Sequence, residues 1–176
     1  MDPLILGKGV ALLGAFIAMV TDMRTGKIFN WLTFPLIFFG FALNAFFFGV
    51  TGVGLSTAAF FLGIAFYTPF AAIGAVGMGD VKLMAAIGAL CGLRFVTTTF
   101  LFTSVIGIPH VLLVQYLNYG KNAFPMLLTS FSTGAYKNKT IASENQNQSV
   151  QYHFYLGIDI FLGCLLAWVI EIPISL

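Results

Sequence analysis

The sequence predicts an all-α polytopic membrane protein of about six transmembrane helices, folded as one domain over residues 1–176. Three observations carry this. The 176 residues are 59% hydrophobic and only 8% charged, and the mean hydropathy is +0.97, a membrane composition rather than a soluble one. The apolar residues fall in long runs, and a crossing helix needs about 20 of them. Most of the charged residues lie between the runs. The formal net charge of +2 offers nothing for nucleic acid; the expected surroundings are a lipid bilayer.

The chain opens with Met1-Asp2-Pro3 where a signal peptide would be positive, and no A-x-A cleavage site follows. The first run, 3–20, is therefore read as a retained helix. The others are 31–50, 56–73, 81–93, 95–117 and 154–174. The fourth is short for a crossing, so its helix begins near Gly79 or the bilayer thins around it. Cytoplasmic loops of membrane proteins collect Lys and Arg. Here Arg24, Lys27, Lys82, Lys121, Lys137 and Lys139 fall on one side, and Arg94, with Lys8 if it snorkels, on the other. That asymmetry predicts an N-out, C-out topology. The only long connection, 118–153, becomes a cytoplasmic loop. It is partly flexible, because it ends in the polar tract KNKTIASENQNQSVQ. NKT and NQS resemble glycosylation sequons but are meaningless on the inside. AFPMLLTSF, ahead of the tract, reads as plain connection.

Cys91 and Cys164 both sit in apolar runs and read as packed thiols, since a structural zinc site usually needs four ligands. His110 follows Pro109 in the fifth run and reads as packed or as satisfying a kink. His153 is far from it. No metal site and no cofactor is expected.

The acids carry the functional argument, because ionisable groups at membrane depth are costly and mark function by default. Asp2 and Glu144 are expected to be solvated, and Glu171 to reach the headgroups. Asp22 follows the first run and Asp80 opens the fourth. Topology returns both to one membrane face at similar depth. Two carboxylates at one level can share a proton. One then serves as base on a water while the other protonates a scissile carbonyl oxygen. The alternative is a helix cap, for which Asp is well suited; Asp22 could instead close a turn with Arg24. From spacing alone the cap has the edge. Gly77 and Gly79 would let another chain approach Asp80 closely, but they would equally break a helix. Lys82 lies on another face from Asp80 and is expected to snorkel to headgroups. Ala85, Gly88, Ala89 and Gly92 form a small-residue stripe for helix packing. Asp159, early in the last run, reads as a structural hydrogen-bonding group.

Two stretches resemble the type IV prepilin peptidase family of membrane aspartic proteases. TDMRTGKIFNWLT (residues 21–33) is similar to the family's first motif, an aspartate before a basic turn and usually "IPN"; Phe29 replaces the proline. GMGDVKLMAAIGALCG (residues 77–92) is similar to the second, a G-x-G-D that opens a helix with "KL" after it. The resemblance implies that Asp22 and Asp80 are catalytic, with Gly77, Gly79 and Lys82 as motif residues. It implies an aspartic-type endopeptidase of the prokaryotic inner membrane, cutting leaders from prepilins or pseudopilins on the cytoplasmic side. A pilus or type II secretion-like assembly machinery would be its partner. Bifunctional members carry a four-cysteine insert for which this chain has no room after Asp22, so it resembles the short, peptidase-only members that serve tight-adherence (Flp) pili. The competing expectation is a non-enzymatic membrane scaffold or a small transporter in such a system.

Overall fold

The computed structural model describes residues 3–72, 76–119 and 155–171. Among them it is all-helical, with four helices: α1 (Pro3–Thr25), α2 (Asn30–Ala72), α3 (Met78–Tyr119) and α4 (Leu156–Glu171). The loop expected at 118–153 lies outside the described residues, except for the last two residues of α3. So do Asp2, Glu144, His153 and both sequons.

α1 runs one turn beyond the expected stop at residue 20. Its end is set by Gly26, whose φ of 64° is the left-handed conformation of a helix C-cap. The Gly26 N–H reaches the Asp22 carbonyl at 2.7 Å. Thr21 and Thr25 return their hydroxyls to the carbonyls of Ala18 and Thr21. Asp22 is therefore in the last turn of α1, not after it.

α2 and α3 have 43 and 42 residues, and each is broken once at a glycine: Gly49 (φ 59°, ψ −143°) and Gly92 (φ 84°, ψ −179°). A side chain on Gly52 would run into the Asn44 carbonyl, although residues eight apart in a straight helix are separated by about 12 Å. α2 thus folds back on itself as limbs 30–48 and 50–72. α3 divides into limbs 78–91 and 93–119. The turns expected from composition near 51–55 and Arg94 are single-residue reversals, which a positive-φ glycine permits without a polar loop. The break at Gly92 also frees helix carbonyls. Asn44 Nδ2 and Ser56 Oγ both donate to the Ala89 carbonyl, at 3.0 and 2.9 Å, so that backbone group remains satisfied.

Limb 78–91, the run that looked short for a crossing, is the centre of the bundle. Leu83, Met84, Ala85, Ala86, Ile87, Ala89, Leu90 and Cys91 are all buried. An apolar stretch of this length that is hydrophobic all round is a core helix. The small-residue stripe packs as expected at Ala85, Gly88 and Ala89, with Gly88 against the Ala59 carbonyl; Gly92 is the break instead. Cys91 and Cys164 are buried free thiols.

The outside is apolar. Phe38, Phe46 and Val50 are 76%, 85% and 91% exposed, a surface that water would not tolerate over this area. Among the described residues, three helices are long and apolar enough to span a bilayer. The chain is an all-α membrane protein. Glu171 does not reach for headgroups, nor does Lys8 snorkel freely: the two meet at 2.9 Å and are largely buried. The Lys8 ammonium also lies 5.5 Å from the Phe95 ring centroid.

Candidate active site

Asp22 is buried. Its Oδ2 accepts the backbone N–H of Gly157, in the first turn of α4, at 3.0 Å. That contact favours glycine, because a Cβ at 157 would stand a tight 3.0 Å from the Asp22 side chain and 3.2 Å from the Met19 Cα. The alternative of a turn closed with Arg24 is not what forms; Asp22 is tied to α4 instead.

Asp80 is the third residue of α3. Its Oδ2 accepts the Gly77 N–H at 3.1 Å, while its own N–H donates to the Gly77 carbonyl at 3.1 Å. A carboxylate reaching back from the third helical position to the N-cap amide is half of a capping box. The cap reading is thus right for one oxygen. The other, Oδ1, is buried and has no hydrogen-bond partner among the described residues. Buried polar atoms are overwhelmingly paired, and an unpaired one calls for an explanation such as chemistry.

The two acids come from opposite ends of their helices and meet at one end of the bundle. The Asp22 charge acts repulsively on Asp80. The turn after Asp22 is pressed against the turn before Asp80. A Cβ on Gly79 would lie 2.8 Å from both the Cβ and the carbonyl oxygen of Ile28, so only glycine fits there. Lys82 fastens the same junction. Its Nζ donates to Asn30 Oδ1 at 2.8 Å and lies 5.3 Å from the Phe34 ring centroid. The expectation of a lysine reaching for headgroups is replaced by a bond between the two motifs. Gly77 is exposed, while Asp80 is buried.

Two neighbours were missed or undervalued in the sequence. Tyr67, near the end of α2, is buried beside Thr103 and within electrostatic reach of both Asp80 and Asp159. A lone Tyr in an apolar helix whose hydroxyl needs a partner was the available signal. Asp159 is 1% exposed, and His110 Nδ1 stands 3.0 Å from each of its carboxylate oxygens. His110 is thus paired across helices rather than packed alone.

This end of the molecule gathers two mutually repelling acids, one with an unpartnered oxygen, at the junction of two turns. No curated protein and no solved structure matches the chain. A family model does: that of the type IV leader peptidase family matches residues 9–112, more than half of the sequence and both acid-bearing turns. The chain is a membrane peptidase that belongs to the type IV leader peptidase family.

Proposed function

We propose that the chain is an aspartic-type endopeptidase that removes the leader of prepilin-like or pseudopilin-like proteins at the cytoplasmic face of the prokaryotic inner membrane. Asp22 and Asp80 carry the chemistry. The observation that supports it best is at Asp80: one oxygen holds the helix start, and the other is buried beside Asp22 with no partner among the described residues.

Like charges in a shared site favour a single proton held between them. The ionised acid takes a proton from water as the water oxygen bonds to the scissile carbonyl carbon. The protonated acid gives its proton to the carbonyl oxygen. Collapse of the tetrahedral species breaks the C–N bond, and a proton passes to the departing amine. The capped oxygen of Asp80 and the amide-held oxygen of Asp22 keep both side chains in place during these transfers.

The basic residues support an N-out, C-out topology in which the limbs of α2 and α3 each cross, six crossings in all. That puts the acids inside. A prepilin leader is short and basic and stays inside, while its apolar helix enters the bilayer; the bond between them lies at the depth of this site. The chain acts as a short, peptidase-only member serving a pilus or secretion-like assembly.

The test is co-expression with candidate prepilins, with leader loss read by mass spectrometry. Wild type should process at least one. Asp22→Asn and Asp80→Asn should each abolish processing while still inserting and accumulating. Asn keeps the cap at position 80 but cannot move a proton. Full processing by Asp80→Asn removes the assignment, and a phenotype indifferent to both substitutions favours a scaffold or transporter.

A further inference from the structure

We propose that His110 and Asp159 are a positioning pair for Asp22, acting through the first turn of α4. The inference rests on the peptidase reading above. The only protein group that holds the Asp22 carboxylate among the described bonds is the Gly157 N–H, at 3.0 Å. Gly157 is buried and belongs to the same helical turn as Asp159. That turn is anchored in its own right: with Asp159 ionised, His110 Nδ1–H donates to both of its oxygens at 3.0 Å. His110 lies in the second limb of α3, far along the chain. The bonds therefore run in series from α3 to Asp159, through one helical turn to Gly157, and on to Asp22.

The geometry explains why a buried carboxylate sits two residues from the amide that matters. A hydrogen bond to a charged acceptor is directional and stronger than a neutral one. An anchor of that kind at the start of α4 fixes the direction of the Gly157 N–H. Without it the turn is free to retreat or rotate, and Asp22 loses its register against Asp80. Displacement of a reacting group by about 1 Å can lower the rate by about 10²-fold. His110 and Asp159 act on Asp22 through the turn of α4 and not on its carboxylate directly, so kcat should respond more than KM.

The experiment uses the full chain purified in detergent, with two readouts. The first is peptidase kinetics on a prepilin leader peptide that wild type cleaves. His110→Ala and Asp159→Ala should lower kcat by about 10- to 100-fold, with KM changed less than about twofold. His110→Asn and Asp159→Asn keep a donor and an acceptor at these positions and should restore most of kcat. A group that only stabilises the fold would lower accumulation and leave kcat per folded molecule intact. The second readout needs no substrate: amide hydrogen exchange in the first turn of α4. His110→Ala should speed exchange there by about tenfold or more, as loss of a charge-assisted bond allows, and His110→Asn should not. Unchanged kcat in both alanine variants, or unchanged exchange in α4, overturns the proposal. If wild type cleaves no leader, the peptidase reading fails, and the exchange result still decides whether His110 holds the turn.

Discussion

At one end of the bundle Lys8 and Glu171 face each other at 2.9 Å. At the other, about 20 Å away along α1, Asp22 and Asp80 are each held by one backbone N–H and repel each other. Both ends bury charge among apolar helices, but only one cancels it. An opposite pair closes on itself and leaves little for a ligand to do. Two neighbouring acids keep a demand for a proton that no described residue meets. Even the orphaned oxygens differ. Glu171 Oε1 is unpaired, but its carboxylate is neutralised through Oε2, whereas Asp80 Oδ1 belongs to a group whose charged neighbour is another acid.

This contrast can be broken experimentally. The largest effect is expected at the acid end. General acid–base groups contribute about 10²–10⁴-fold, and groups that act as a unit lose activity non-additively. The Asp22→Asn/Asp80→Asn double variant should therefore be little slower than either single variant in a leader-cleavage assay. Multiplicative losses would mean that the two acids act separately. A smaller loss is expected from Gly79→Ala. The added methyl has no space against Ile28 and must push the two motif turns apart, so cleavage should fall by about 10²-fold at near-normal protein levels. Retained activity would show that the junction does not set the register of the acids. The opposite end should show the reverse pattern. Lys8→Met or Glu171→Gln alone breaks a buried pair, which costs about 3–5 kcal/mol, and should lower the unfolding temperature. The double change to apolar residues should recover much of it. Activity per folded molecule should barely move in any of the three.

The sequence made the acid end legible because charge and glycine interrupt apolar runs there, and because the expected alternation of crossings returns both interruptions to one side. The rest was hidden for specific reasons. Gly49 and Gly92 turn the chain in one residue, and a composition-based turn needs a polar stretch to be visible; the reading slid to the nearest ones, at 51–55 and Arg94. Lys8 and Glu171 come from opposite ends of the chain, and no local pattern links them. His110 and Asp159 each looked like a solitary group in an apolar helix, since their pairing depends on how α3 and α4 pack. The short fourth run was puzzling as a crossing but is natural as the helix that the others surround. Asp80 reads in the sequence as a choice between cap and catalyst; in the structure one of its oxygens caps α3 and the other has no partner among the described residues.

The wrapping of limb 78–91 has a consequence for how such an enzyme meets different membranes. A helix in contact with acyl chains must match their thickness by tilting, stretching or deforming the bilayer. This limb spans only about 20 Å and is insulated by protein along nearly its whole length. The depth of Asp80 is therefore measured from neighbouring helices and not from the lipid. Changes in acyl-chain length or temperature can move the outer helices against the headgroups while Asp22 and Asp80 keep their spacing. The same sequence can then serve in thin and thick membranes without retuning its chemistry.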